Sequence, residues 1–212
     1  SLGGSALAHV YGQVGNVVPD LNDTDLVSAA FRVTQKLIRE REILAGHDRS
    51  DGGLLTTVLE MAFAGNIGVS IDTNPGIDTL EYLFNEELGL VLEVGAGKTA
   101  HIIDQYTSAG VPCTRIGGTT DSTQIIVTLD GETVLTDSIE NLQDTWEATS
   151  YQLERLQVNP DCADKERETN LSRCTPAFSL SFAPSAPATV SDGRPQIAIV
   201  REEGSNGDRE MA

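Results

Sequence analysis

Positive charge is scarce in this chain. Its 212 residues hold 14 Lys and Arg against 32 Asp and Glu, a formal charge of −18, with only seven of the cations in residues 1–150. Phosphate backbones and anionic lipids would be repelled by that field, which excludes nucleic-acid and acidic-membrane binding. A single nucleotide is not excluded, because magnesium bridges carboxylates and phosphates. Cysteine is scarcer still: Cys113, Cys162 and Cys174 form no CxxC pair and no Cys/His cluster. Neither a disulfide framework nor a zinc site follows, and free thiols point to a reducing cytoplasm. No apolar run approaches a membrane span, and no signal-peptide pattern opens the chain. It begins on Ser1-Leu2-Gly3-Gly4 without a Met, which reads as a cut rather than a true start.

What is present is a hydrophobic fraction of 39%, enough for one well-buried domain plus extra pieces, or two small ones. Thr24 or Asp25 is positioned to cap a helix in which Leu26, Ala29, Ala30, Val33, Leu37 and Ile38 follow helical spacing. A loop at 46–53 and an apolar helix from Leu54 to Ala64 come next. Strands are expected at 67–71, 88–94, 113–116, 124–129 and 133–135, with Asp130-Gly131 as a hairpin turn. Helices are expected over 78–86, 98–109 and 141–156. Crossover and hairpin strands mixed with helices predict an α+β fold, a layered mixed sheet with helices, over residues 1–157. Residues 158–193, charged and then rich in Pro, Ser and Ala, read as a connector with little secondary structure. Residues 194–212 open a second domain: Gln196 to Val200 reads as a buried strand, followed by a turn and a helix beginning. One strand and one turn bury no core, so the chain reads as a fragment.

The run Gly46-His47-Asp48-Arg49-Ser50-Asp51-Gly52-Gly53-Leu54 carries the most chemistry. An acid-rich loop ending in two glycines before a helix sets carboxylates, a hydroxyl and backbone N–H groups near one point. Magnesium and a phosphate need that set. The plainer reading is a turn in which Asp51 or Ser50 caps the helix. His47 reads as a hydrogen-bonded structural residue rather than a base, and Arg49 is open between an acidic partner and a phosphate.

Two motifs in order carry a family resemblance. The segment 46–54 with Leu59-Glu60-Met61-Ala62-Phe63-Ala64-Gly65-Asn66 resembles the last aminoimidazole-ribonucleotide-synthetase-like repeat of the large single-chain phosphoribosylformylglycinamidine synthases. The tail Ile199-Val200-Arg201-Glu202-Glu203-Gly204-Ser205-Asn206-Gly207-Asp208-Arg209-Glu210-Met211-Ala212 is similar to the start of their class I glutaminase domain. Leu2-Gly3-Gly4-Ser5-Ala6-Leu7 fits the opening of the repeat. The resemblance implies a ligase of purine biosynthesis. ATP activates the formyl amide oxygen of formylglycinamide ribonucleotide, and ammonia released from glutamine displaces phosphate to give the amidine. It further implies an auxiliary magnesium–nucleotide site holding ATP or ADP, with Asp48 as a metal ligand and Ser50 as a nucleotide contact. Asp51 is then left to the helix cap, and Gly3, Gly4 and Ser5 either line the cleft or start a helix.

The partners implied are a nucleotide, the preceding synthetase repeats and the glutaminase domain of the same chain. None of Cys113, Cys162 or Cys174 sits on the strand-to-helix turn that a glutaminase nucleophile needs, and no catalytic residue is assigned to this segment. Competing readings are a non-catalytic nucleotide-binding or scaffold module of the same superfamily, a stand-alone relative of the selenophosphate-synthetase type, and an unrelated acidic interaction domain.

Overall fold

A computed structural model describes residues 1–171, 178–185, 196, 198–200 and 207. The chain divides into two compact units, residues 1–173 and 174–212. In chain order the first unit runs α1 (Ala6–Val10), α2 (Thr24–Arg39), β1 (Ile43–Asp48), α3 (Gly53–Gly65), β2 (Gly68–Thr73), α4 (Thr79–Phe84) and β3 (Leu90–Val94). It continues through a 3₁₀ turn (Ala96–Lys98), α5 (Thr99–Ser108), β4 (Gly117–Thr120), β5 (Gln124–Leu129), β6 (Glu132–Ser138), α6 (Ile139–Gln157) and α7 (Pro160–Leu171).

The strands form two sheets. One has the order β4-β2-β5-β6, with β2 parallel to β5 and the other two pairs antiparallel. The other is an antiparallel ribbon of β1 and β3 in which Asp48 faces Leu90 and Ile43 faces Val94. Mixed sheets with helices agree with the α+β expectation.

Two apolar clusters hold these layers. In the first, Leu54, Val58, Ala62 and Phe63 of α3 pack with Ile71 of β2, Leu83 of α4, Ile125, Val127 and Leu129 of β5, and Ile139 of α6. In the second, Val33 and Leu37 of α2 pack with Ile102 and Tyr106 of α5 and with Val111. Ile43 of β1 and Leu92 and Val94 of β3 lie against this second cluster, whereas Val91 of β3 lies against the first. Each fully buried Leu, Ile, Val or Phe contributes about 1.5–3 kcal/mol. The ribbon therefore joins two cores, and β1 leaves one of them just where α3 enters the other.

Several expectations are corrected. Residues 46–48, expected to open a loop, instead end a strand, Ile43–Asp48. Asp23, not Thr24 or Asp25, caps α2, its Oδ1 accepting from the Leu26 N–H at 2.9 Å. The strand expected at 113–116 lies at 117–120, where its backbone pairs with β2. Residues 160–171 form α7 instead of unstructured connector. That helix lies along α6: Arg167 bonds both Asp144 oxygens at 2.5 and 2.6 Å and its guanidinium stacks 4.7 Å above the Tyr151 ring. Asp164 accepts from the Tyr151 hydroxyl and pairs with Arg155. Only Ala163 is a buried apolar residue of α7 among those described.

The hairpin at Asp130-Gly131 is as expected, both residues having positive φ, 52° and 82°. In the second unit, Gln196 and Ala198 to Val200 of the expected strand are in no strand. Ile197 and most of the following turn and helix beginning lie outside the described residues.

Candidate functional site

The turn from β1 into α3 is built by its two glycines. Gly52 (φ +84°) stands at the helix N-cap and Gly53 (φ +70°) is the first helical residue. Both angles fall in the left-handed region that side chains disfavour. A Cβ on Gly53 would also lie 2.7 Å from the Leu83 carbonyl oxygen and from Phe84 backbone atoms. The turn thus brings α3 against the end of α4 with no room between them.

The turn places Asp48 at the last position of β1, with its side chain 73% exposed. Its backbone carbonyl lies 2.6 Å from His47 Nδ1, and the other ring nitrogen of His47 lies 3.2 Å from Glu60 Oε2 on α3. The expectation of a hydrogen-bonded His47 agrees with this. Ser50 is exposed, and its carbonyl accepts from the Gly53 N–H at 3.0 Å.

Asp51 does not cap α3: the helix has no side-chain cap, and Gly52 holds the cap position. With the positive-φ Gly52 at the cap position the helix begins at Gly53, leaving Asp51 ahead of the cap. Arg49 pairs with neither a carboxylate nor an open face. Its Nε donates to the Glu87 carbonyl at 2.6 Å, its Nη2 to the Leu88 carbonyl at 3.3 Å, and its backbone N–H to the Gly89 carbonyl at 2.8 Å. Burial pulls this guanidinium below its ordinary value, and Glu87 opposes that pull.

Gly3 and Gly4 precede Ser5, whose hydroxyl accepts from the Ala8 N–H and starts α1, the helix-start alternative of the two. Glu86 was read only as the end of a short helix, yet its Oε1 accepts from two backbone N–H groups, Ala6 and Gly52, each at 2.8 Å. No local pattern signals such a contact, since its donors lie 80 and 34 residues away.

Among the described residues no three His, Cys, Asp or Glu side chains are grouped to hold a metal. Asp48 is a single hard-oxygen donor beside an exposed hydroxyl residue. Magnesium takes one or two protein carboxylates together with phosphate oxygens and water. The turn fits such an ion as one contribution to its shell, not as a complete cage. Among the described residues, no helix is long and apolar enough to cross a membrane.

Residues 1–130 match the family model described as AIR synthase related protein, C-terminal domain. The whole chain is 47% identical to a probable phosphoribosylformylglycinamidine synthase of Arabidopsis thaliana, named as chloroplastic/mitochondrial, and 43% identical to the phosphoribosylformylglycinamidine synthase of Homo sapiens. It spans 15% and 16% of their lengths. Among solved structures, T. maritima PurL complexed with ATP is similar at a TM-score of 0.54 with 15% identity, over 58% of this chain and 22% of that one. At that identity the likeness concerns the fold. A mixed sheet with helices, the GG turn between β1 and α3, and a family model covering more than half of the residues agree: the chain belongs to the AIR synthase related protein C-terminal-domain family and is similar along its whole length to a segment of phosphoribosylformylglycinamidine synthases.

Proposed function

We propose that this chain is part of a glutamine-dependent ligase that converts formylglycinamide ribonucleotide, glutamine and ATP to the amidine, glutamate, ADP and phosphate. On this reading the segment supports an auxiliary magnesium–nucleotide site at the β1–α3 turn. The observation that carries it is the placement of Asp48: a strand-end carboxylate, largely exposed, beside Ser50 on a turn fixed from behind by Arg49 and Glu86. Among the described residues no Lys or Arg pairs with that carboxylate, and His47 Nδ1 lies 3.5 Å from it. A bound magnesium would supply charge compensation for nucleotide phosphates there. Asp48 would hold the ion, Ser50 would contact the nucleotide, and the remaining ligands would come from the preceding synthetase repeats. Such a nucleotide stabilises the assembly rather than turning over.

The chemistry explains why a large protein is needed. An amide oxygen leaves only once it is phosphorylated, and ammonia released into water would be protonated and lost, so both steps call for enclosed, connected sites. Residues 194–212 are proposed as the beginning of the glutaminase part and 158–193, whose first part folds as α7 against α6, as the connector to it. Large exposed apolar side chains on the first unit, Tyr11, Phe31 and Leu44 among them, suit burial by neighbouring repeats. The cytoplasmic placement belongs to this proposal too and rests on free thiols alone; the Arabidopsis thaliana relative is named as chloroplastic/mitochondrial.

Asp48→Asn in the full-length protein tests the reading. Nucleotide that co-purifies in magnesium should be lost, and thermal stability should fall. Ligand held at about 100 times its Kd stabilises by about 2.7 kcal/mol, which sets the scale of that fall. Glutamine hydrolysis should persist. Unchanged nucleotide content with hydrolysis abolished would reverse the assignment.

A further inference from the structure

The turn carrying Asp48 and Ser50 is not self-supporting. Residues 83–89 form a mould along it. The Leu83 carbonyl and Phe84 backbone close on Gly53, Glu86 takes the Gly52 N–H, and the carbonyls of Glu87, Leu88 and Gly89 take the side chain and N–H of Arg49. Within this mould one atom does two tasks. Glu86 Oε1 accepts from Gly52 and, at the same 2.8 Å, from Ala6 at the start of α1. A carboxylate oxygen of half-buried Glu86 thereby ties the start of α1, at Ala6, to the turn between β1 and α3.

We propose that Glu86 is a positioning residue for the nucleotide site, setting the Asp48–Gly53 turn and the start of α1 in one fixed arrangement. This rests on the reading of Asp48 and Ser50 given above. A carboxylate accepting backbone N–H groups makes stronger bonds than a neutral acceptor, and its removal strands two donors at once. The requirement is for an acceptor oxygen with two lone pairs, which a glutamine amide also provides. Glu86→Gln should therefore rescue what Glu86→Ala loses. Asp78 supplies a matched control. Its Oδ1 also accepts two N–H groups, Leu80 at 2.9 Å and Glu81 at 3.2 Å, but both belong to the helix it caps.

The test compares Glu86→Ala, Glu86→Gln, Asp78→Ala and Asp48→Asn in the full-length protein, with amide hydrogen exchange and the affinity for ADP in magnesium as readouts. Glu86→Ala should speed exchange at Ala6 and at Gly52 together and weaken ADP binding, each by about tenfold. Glu86→Gln should stay within about twofold of the parent in both, and Asp78→Ala should loosen α4 without moving ADP affinity. Loosening of only one segment, a glutamine variant as impaired as the alanine one, or an equal loss of affinity in Asp78→Ala would each overturn the proposal. If Asp48→Asn abolishes ADP binding and Glu86→Ala leaves it intact, the role of Glu86 alone fails. If neither changes it while both segments loosen, the nucleotide reading fails and the positioning role with it.

Discussion

Gly52 and Gly53 are adjacent and both left-handed, but their surroundings differ. An alanine methyl at Gly53 would meet backbone atoms of Leu83 and Phe84, which cannot move without dragging α4. At Gly52 it would meet the Thr56 side chain at its Oγ1 and, at 2.7 Å, its Cβ; a second rotamer moves the hydroxyl but leaves the Cβ where it is. Left-handed strain of about 1–3 kcal/mol applies to both. Gly53→Ala and Gly52→Ala should then each cost about 3–4 kcal/mol, measured by urea unfolding. A cost of under about 2 kcal/mol at Gly53 would mean that the α4 contact yields more easily than its geometry suggests. The spelling of this turn was legible in the sequence, since an acidic loop ending in Gly-Gly before an apolar helix announces an unusual backbone. Which residue caps it was not. Side-chain caps are the common solution, but the positive-φ Gly52 takes the cap position, and its N–H goes to Glu86, a contact that no window around residue 50 contains.

At the level of elements, the sequence marked those whose apolar residues recur at a fixed period, as in α2, β5 and α6. It missed those held by pairing or by charge. β4 is Gly-Gly-Thr-Thr, its two strand-forming threonines preceded by two glycines, and exists because β2 presents it with a ladder. β1 reads Ile-Leu-Ala-Gly-His-Asp, with no clean alternation, and is a strand because β3 pairs with it and its Ile43 packs on the second cluster. α7 has almost no apolar face, so its docking must come from the Asp144–Arg167–Tyr151–Asp164 network along α6. Arg167→Met should leave the two cores intact while reducing amide protection over 160–171, roughly two- to fivefold.

The same clasp has a defined pH dependence. Arg167 holds the Asp144 carboxyl below its ordinary value of 3.8. A carboxyl lowered in the folded state contributes fully above its ordinary value, and the contribution disappears as pH falls below 3.8 through the depressed one. Protection of α7, corrected for intrinsic exchange, should therefore be flat at neutral pH and drop only in that acid window. A drop already at pH 6 would place the control elsewhere.

For the molecule as a whole, the net charge of −18 sets a second electrostatic term, opposite in sign to the clasp. Most carboxylates have no cation to meet, so the folded chain concentrates like charges that an unfolded chain would spread apart. Salt shortens the reach of that repulsion, from about 30 Å at 0.01 M to about 8 Å at 0.15 M, and weakens exposed ion pairs in the same range. The repulsion involves the whole surface, whereas α7 is held to α6 by two partly exposed ion pairs, Arg155–Asp164 and Arg167–Asp144. Raising sodium chloride from 0.01 to 0.15 M should accordingly stabilise the chain globally by about 1 kcal/mol, a rise of ~2–4 °C in Tm, while α7 loses protection. A scan by calorimetry alongside hydrogen exchange at both salt levels separates the two effects. A Tm that falls with salt would mean that ion pairs, not repulsion, dominate the energetics of the fold. Magnesium should exceed sodium at equal ionic strength only where a carboxylate is placed to bind it. An excess that disappears in Asp48→Asn would locate that extra stabilisation at the turn between the two cores, and one that survives would assign it to the acidic surface at large.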